Sequence, residues 1–268
     1  MVGNSIPSSA EAMARYSRQW ALPVLGADGQ RRLLAARVRV VGVGGLGSWV
    51  AELLVRAGVG FLRLADDDVV ELANIHRQAL YGEADAAGRQ KKVVAAAARL
   101  ATINGSTVVE PVAERVDRFN LDRLARDVDL IIDGTDNFES RFLLNDYAVK
   151  YGKPWIFAGV IGTEAMTLTF VPGRTGCLRC LLESPPKECG ATSCRERGVL
   201  GPAVAAVAAF QAGEAIKLLS GHSEAANPYL LRFDLWRNEV QRLNVFDVSK
   251  GTTTSICCGQ HEYEFLEP

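Results

Sequence analysis

The chain has 268 residues, of which 48% are hydrophobic and 23% charged, with 30 lysines and arginines against 31 acids and a net charge of −1. That length suits one or two domains with a core that needs no disulfide staples, and the composition excludes disorder as a description of the whole. The balanced charge gives no global field to attract nucleic acid or an anionic membrane, so neither is expected as a partner.

No run of 18 or more apolar residues offers a membrane-crossing helix. The longest candidate, Ala203–Leu219, is interrupted by Gln211, Glu214 and Lys217. Met1–Ala10 is polar and lacks the apolar core of a secretion signal. The expectation is a soluble, cytoplasmic protein, in which six cysteines need a purpose other than disulfides. Cys177 and Cys180 form C-x-x-C, Cys257 and Cys258 are adjacent, and Cys189 and Cys194 lie between, in a stretch rich in Pro, Gly and Ser.

In chain order, residues 1–14 are expected to form a flexible start, with a short helix over Ala10–Tyr16. Ala36–Val43 is a β-branched apolar run and predicts a buried strand. Glycines follow at once, then helical spacing over Trp49–Arg56, stopped by Gly58 and Gly60. Phe61–Ala65 predicts a second strand that runs into Asp66-Asp67-Asp68. Lys91–Ile103 is Ala-rich and helical. Thr107–Pro111 predicts a third strand, Asn120 caps a short helix reaching Arg126, and Val128–Asp133 predicts a fourth strand entering a glycine turn. Phe138–Tyr151 is helical and Trp155–Ala158 is a further strand. Glu164–Val171 alternates and reads as half exposed. Pro202–Leu219 is a long helix, and Tyr229–Leu235 pairs antiparallel with Glu239–Val245 around Trp236-Arg237-Asn238.

Strands alternating with helices imply right-handed crossovers and a parallel sheet. The expected fold is α/β: a Rossmann-like nucleotide-binding half with parallel strands, continued by antiparallel strands into one mixed sheet with flanking helices. No linker divides residues 15–268, which read as one domain with an irregular loop at about 181–200.

Gly42-Val43-Gly44-Gly45-Leu46-Gly47 fits G-x-G-x-x-G between a predicted strand and a predicted helix, the context that the motif needs. Such glycines let the backbone turn tightly against a phosphate, and the helix N-terminus supplies unpaired N–H groups. Asp66, at the end of the second strand, is placed to accept hydrogen bonds from ribose hydroxyls. These features predict a nucleotide without choosing between NAD and ATP. Asp66 and Asp68, then Asn74, Arg77 and Gln78, then Lys91 and Lys92, favour ATP. An NAD site needs no such cluster of cations, whereas a reaction that drives charge onto pyrophosphate does. Each of these charges taken alone also suits a solvated surface. Asp136, in Gly134-Thr135-Asp136-Asn137 after the fourth strand, points into the same crevice and suits Mg²⁺, although a capping role also fits. Arg141 and Asn145 face either the crevice or solvent. His76 lies beside Arg77, while His222 and His261 read as solvated.

Taken together these residues resemble the MoeB/ThiF family, which includes HesA and comprises bacterial relatives of ubiquitin-activating E1 enzymes. The resemblance begins at Arg15-Tyr16-Ser17-Arg18-Gln19 and runs through the glycine loop, Asp66-x-Asp68, Asn74-Ile75-His76-Arg77-Gln78, the lysine helix and Thr135-Asp136-Asn137. It implies an adenylyltransferase that uses ATP to activate the C-terminal glycine of a ubiquitin-like sulfur carrier of the MoaD or ThiS type, ending in Gly-Gly. Pyrophosphate leaves and a thiocarboxylate follows. It implies a homodimer in which Arg18 acts in the partner's active site. It matches Gly42, Gly44, Gly45 and Gly47 with the nucleotide loop, Asp66 with the ribose ligand, and Arg77 and Lys92 with the catalytic cations. Asp136 matches the Mg²⁺-associated carboxylate. Lys91 remains an alternative to Lys92, since Gly88-Arg89-Gln90-Lys91-Lys92 departs from the family's G-x-P-K.

The resemblance further implies a structural Zn²⁺ on two C-x-x-C pairs. Cys177 and Cys180 match the first pair. The second reads Ser255-Ile256-Cys257-Cys258, so the expected ligands are Cys177, Cys180, Cys257 and Cys258, with serine in one cysteine position. Cys194 sits in a segment where some members use a catalytic cysteine, and a dispensable loop thiol is the alternative. The chain ends soon after these cysteines with no rhodanese-like extension, so sulfur is expected from a separate donor such as a cysteine desulfurase or a rhodanese. Three other readings stay open: E1-like adenylation of a peptide, a small-molecule carboxylate or a tRNA base; an NAD-binding oxidoreductase; and a nucleotide-binding scaffold.

Overall fold

The structure, a computed structural model, describes residues 14–186, 198–246 and 255–267. Two helices, Ser17–Trp20 (α1) and Gly26–Ala35 (α2), lead into Arg37–Val41 (β1), Gly45–Ala57 (α3), Phe61–Ala65 (β2), Glu83–Ala87 (α4), Lys92–Ile103 (α5) and Val108–Val112 (β3). Then come Leu121–Ala125 (α6), Leu130–Asp133 (β4), Phe138–Tyr151 (α7), Trp155–Ile161 (β5) and Glu164–Phe170 (β6). Leu178–Leu181 (α8), Gly201–Leu219 (α9), Leu230–Asp234 (β7), Glu239–Leu243 (β8) and Ile256–Gln260 (α10) follow. Of the expected Ala10–Tyr16 helix only the last three residues are described, and α1 starts just beyond them. The helices α1, α2, α4, α8 and α10 fall outside the expected elements.

The strands form one sheet in the order β3-β2-β1-β4-β5-β6-β7-β8. Pairing is parallel from β3 through β5 and antiparallel from β5 through β8. This is the expected mixed sheet. Strand order reverses between β1 and β4, and in such sheets a crevice opens beyond the carboxyl ends at that point.

The apolar strands are covered on both sides, which is why they read as near-continuous hydrophobic runs. Val38 and Val40 pack with Val50 and Leu54 of α3, Ala96 of α5 and Ala212 of α9. Val41 and Ile131 turn the other way, onto Leu124 of α6 and Phe142 and Tyr147 of α7. The long apolar helix α9 has the length and composition to cross a membrane, yet it packs on α3, β5 and β6.

Two local expectations change. The β6 strand is buried rather than half exposed, because its threonines are satisfied internally. Thr167 Oγ1 donates to Phe157 O at 2.7 Å and Thr169 Oγ1 to Glu214 Oε2 at 3.3 Å. Asn120 precedes α6 but makes no capping bond. Its side chain instead accepts from Asp117 N and donates to Arg115 O.

Candidate active site

The glycine loop turns β1 into α3. Gly42 has φ +79°, and a Cβ on it would meet Gly134 O at 2.7 Å. A Cβ on Gly47 would lie 1.9 Å from Gly42 O, and one on Gly134 2.3 Å from the same atom. The turns after β1 and β4 therefore touch backbone to backbone, and no side chain fits between them. Gly44 and Gly45 are less crowded: the nearest atoms to an added Cβ would be Gln78 Nε2 at 3.6 Å and Val204 Cγ1 at 3.2 Å. No side chain caps the first turn of α3, so its leading N–H groups suit an anion.

Asp66 ties this loop to β2. Its Oδ2 accepts from Val43 N at 2.7 Å and its Oδ1 from Asp68 N at 2.9 Å. Each carboxylate oxygen has a second lone pair for a ligand hydroxyl. Burial pushes the Asp66 carboxyl up from its ordinary value, against the pull of Lys92 and of those two amides. Tyr81 closes the back of the loop by donating to Val43 O at 2.7 Å. Lys92, the first residue of α5, is only 5% exposed and its Nζ lies 2.7 Å from Asp68 Oδ2. Lys91 is exposed and donates to the Asp67 carbonyl instead. The two adjacent lysines thus have different surroundings, and Lys92 is the one at the carboxylates.

Asn74 ends a single helical turn, Leu72–Asn74, and Arg77 and Gln78 follow it and lie against Gly45 and Gly44 of the glycine loop. Arg77 Nη2 donates to Asn74 Oδ1 at 2.8 Å, and Nη1 lies 3.0 Å from His76 Nε2. Trp49 Nε1 donates to Arg77 O at 3.1 Å, fixing this turn against α3. Gln78 is 4% exposed, and its Oε1 has no partner among the described residues. The same amide lies beside Gly44 through its Nε2, and an orphaned buried acceptor on it fits a site shaped for a ligand that is not part of the chain.

The turn after β4 is held from beneath. Asp133, fully buried, accepts from Thr135 N, Thr135 Oγ1 and Arg141 Nε at 2.9, 2.6 and 3.1 Å. Burial raises its carboxyl above the ordinary range, with Arg141 opposing. Arg141 also donates to Thr135 O and Ala158 O. Gln211 of α9 donates to Asp133 O and Ile156 O at 2.9 and 3.1 Å, beside the Ile132–Ile156 pair that ends the β4–β5 ladder. Asp136 is exposed at the tip of this turn. Asn137 is occupied as the cap of α7, accepting from Ser140 N at 2.9 Å. The sequence reading did not single out Asp133 or Gln211. The trace of Gln211 was a lone amide in an apolar helix, and that of Asp133 was a carboxylate ending a buried strand.

Arg18 is exposed in α1, at the far end of α3. Its neighbour Gln19 donates to Ala57 O, and Tyr16 packs on Gly58. Thirteen residues of α3 separate that end from Gly45, about 20 Å. Arg18 cannot reach the glycine loop of its own chain.

One turn further along α7 from Arg141, beyond Asn145, Cys177, Cys180 and Cys258 bring their sulfurs within 4.8 Å of one another. The separations are 3.8 Å for Cys177–Cys180 and 3.4 Å for Cys180–Cys258. Cys257 is not in that set: it is fully buried, with its sulfur 3.4 Å from Asn145 Nδ2. Asn145 accordingly faces this cluster and neither the crevice nor solvent. The Cys180 hydrogen bond lowers the Cys177 thiol, but the Cys257 thiol and burial push it up to about 11. Cys189 and Cys194 lie outside the described residues.

With this geometry in place the comparisons with known proteins agree. The ThiF family model matches residues 16–254, and the chain belongs to the ThiF family. It is 42% identical over 252 residues to the sulfur carrier protein ThiS adenylyltransferase of Bacillus subtilis, covering 94% of this chain and 73% of that one. It is 38% identical over 240 residues to the sulfur carrier protein adenylyltransferase of Thermus thermophilus, covering 88% of each. Among solved structures, Escherichia coli MccB with ATP superposes with a TM-score of 0.77 at 25% identity, covering 91% of this chain and 74% of that one.

Proposed function

We propose that this chain adenylates the C-terminal glycine carboxylate of a small ubiquitin-like sulfur carrier, using ATP and releasing pyrophosphate. The observation that carries this reading is that the glycine loop is held by Asp66, lies against the turn after β4 and near Arg77, with Lys92 paired to Asp68 beside it. Family membership supports it, since the relatives in B. subtilis and T. thermophilus are named as adenylyltransferases of such carriers.

In this reading the amides around Gly44, Gly45 and Gly47 and the start of α3 cradle the phosphates. Asp66 takes the ribose hydroxyls through its remaining lone pairs. Asn74, Arg77, Gln78 and Lys92 line the phosphate path. A carrier carboxylate oxygen attacks the α-phosphorus, and the bond to pyrophosphate breaks. Nucleophile and phosphate are both anions, so their approach is repulsive until fixed cations screen it and hold the atoms in line. Asp136, exposed on the turn after β4, would hold Mg²⁺, which would neutralise phosphate charge. Arg18 would serve the site of a second copy in a homodimer. Zn²⁺ would sit on the cysteine cluster, away from the reacting atoms. Sulfur would arrive from a separate donor after adenylation, a step that itself needs no thiol from Cys194.

ATP–pyrophosphate exchange with Mg²⁺, run against a panel of carriers ending in Gly-Gly, tests this. Exchange with one carrier, lost in Lys92→Ala and Asp136→Asn, is the expected result. ATP binding without exchange for any carrier would overturn it.

A further inference from the structure

Ser255 stands three residues before Cys258, at the cap of α10, and its Oγ accepts from Cys258 N at 3.3 Å. The same Oγ lies 3.1 Å from Cys177 Sγ and 3.5 Å from Cys258 Sγ. Thiolates bound at about 2.3 Å to a tetrahedral zinc stand about 3.8 Å apart. Two of the sulfur separations, 3.8 and 3.4 Å, are near that spacing, all three sulfurs lie within 4.8 Å of one another, and the hydroxyl sits beside two of them. Cys257 and Cys258 are consecutive on a helix, so their side chains diverge by about 100°. Only Cys258 shares a face with Ser255. The Cys257 sulfur accepts from Asn145 Nδ2 and lies within hydrogen-bonding reach of both Asp146 and Cys177, yet outside the set in which all three sulfurs are mutually close. Asn145 is itself fixed, because its Oδ1 accepts from Leu178 N at 2.7 Å. Bringing Cys257 to a metal would dismantle that buried network.

We propose, resting on the zinc reading above, that the metal centre is a three-thiolate site on Cys177, Cys180 and Cys258, its fourth position held by the neutral Ser255 hydroxyl and exchangeable for a small exogenous thiolate. A hydroxyl is a poor ligand beside a soft thiolate. Three tight protein ligands plus one labile position is the ligand count of sites that keep a place open, whereas structural zinc sites are closed by four. Space lies alongside: a cavity of about 200 Å³ is lined by Cys177, Cys258, Trp155, Phe170, Thr175 and His261. Trp155 is fully buried, and its indole N–H has no acceptor among the described residues. In the exchange the incoming thiol gives its proton to solvent, its sulfur takes the metal, and the Ser255 hydroxyl leaves with its own proton.

Cobalt(II) loaded into the full chain reports the thiolate count through the intensity of its sulfur-to-metal charge-transfer band. Wild type and Cys257→Ser should give the same three-thiolate intensity, and Ser255→Cys about one third more, as a fourth thiolate requires. Adding 2-mercaptoethanol should raise wild type to the Ser255→Cys level and leave that variant unchanged. X-ray absorption of the zinc-loaded wild type, which needs no variant, should show three sulfurs and one oxygen. Four sulfurs, a band that falls in Cys257→Ser, no response to thiol, or extraction of the metal by thiol would each overturn the proposal. Failure of the folded wild type to take up zinc or cobalt at all would instead overturn the zinc reading, and this inference with it.

Discussion

Asp66 Oδ2 accepts the Val43 amide at 2.7 Å, so the carboxylate that ends β2 holds the glycine loop that ends β1. Hydrogen bonds to charged groups contribute about 1.5–3 kcal/mol. Asp66→Ala should therefore weaken ATP binding by more than tenfold while leaving the sheet folded. Asp66→Asn, which still presents an oxygen to Val43, should lose less. Calorimetric ATP titration of both variants checks the order.

Lys92 and Lys91 should separate cleanly. Removing one charge from a preorganised electrostatic site costs about 10²–10³-fold in rate. Lys92→Ala should show that loss in pyrophosphate exchange. Lys91→Ala, whose ammonium sits exposed on a backbone carbonyl, should stay close to wild type. Equal losses would contradict the assignment.

Gln211 satisfies two carbonyls, Asp133 O and Ile156 O. An unsatisfied buried polar group costs about 1–3 kcal/mol. Gln211→Leu should lower the unfolding free energy by that scale, seen as an earlier urea midpoint, and Gln211→Glu should not rescue it, having only acceptors when ionised. Denaturation at neutral pH measures both.

Asp127 gives a pH signature. The hydrogen bond from Arg63, with help from Arg37, holds its carboxyl down at about 2 despite partial burial. The folded state keeps the charge to lower pH than the unfolded chain does. This contribution is fully present above the unfolded value of about 3.9 and disappears as pH falls toward 2. Asp127→Asn should flatten the acid limb of the stability profile between those values. Asp127 is 42% exposed, so added salt should shrink the difference.

Much of this was visible in the sequence because it is contiguous there. The β1, β2 and β4 strands are short apolar runs, the glycine loop and Asp66 directly follow β1 and β2, and Lys92 opens the Ala-rich α5 helix. The α2 helix was obscured by Gly26 and Gly29, residues that argue against a helix. Yet a Cβ on Gly29 would stand 2.8 Å from Leu25 Cδ1 and 3.3 Å from Ser220 Cβ, so the glycine lets α2 pack closely without moving those side chains. The cysteine site was obscured differently. Adjacency makes Cys257 and Cys258 read as a pair, whereas helical geometry groups residues three apart. Gln211 was hidden because its role depends on β4 and β5, which are brought to α9 only by the fold.

The distance between Arg18 and the glycine loop has a kinetic consequence. Under the proposed exchange of arginines, specific activity should fall on dilution. Arg18→Ala and Lys92→Ala, each inactive alone, should also complement when mixed. In a randomly mixed two-fold assembly half the pairs are hybrids, and each hybrid concentrates both lesions in one site while leaving the other intact. About a quarter of all sites then recover. Mixtures as inactive as their parents would mean that Arg18 does not work from a neighbour.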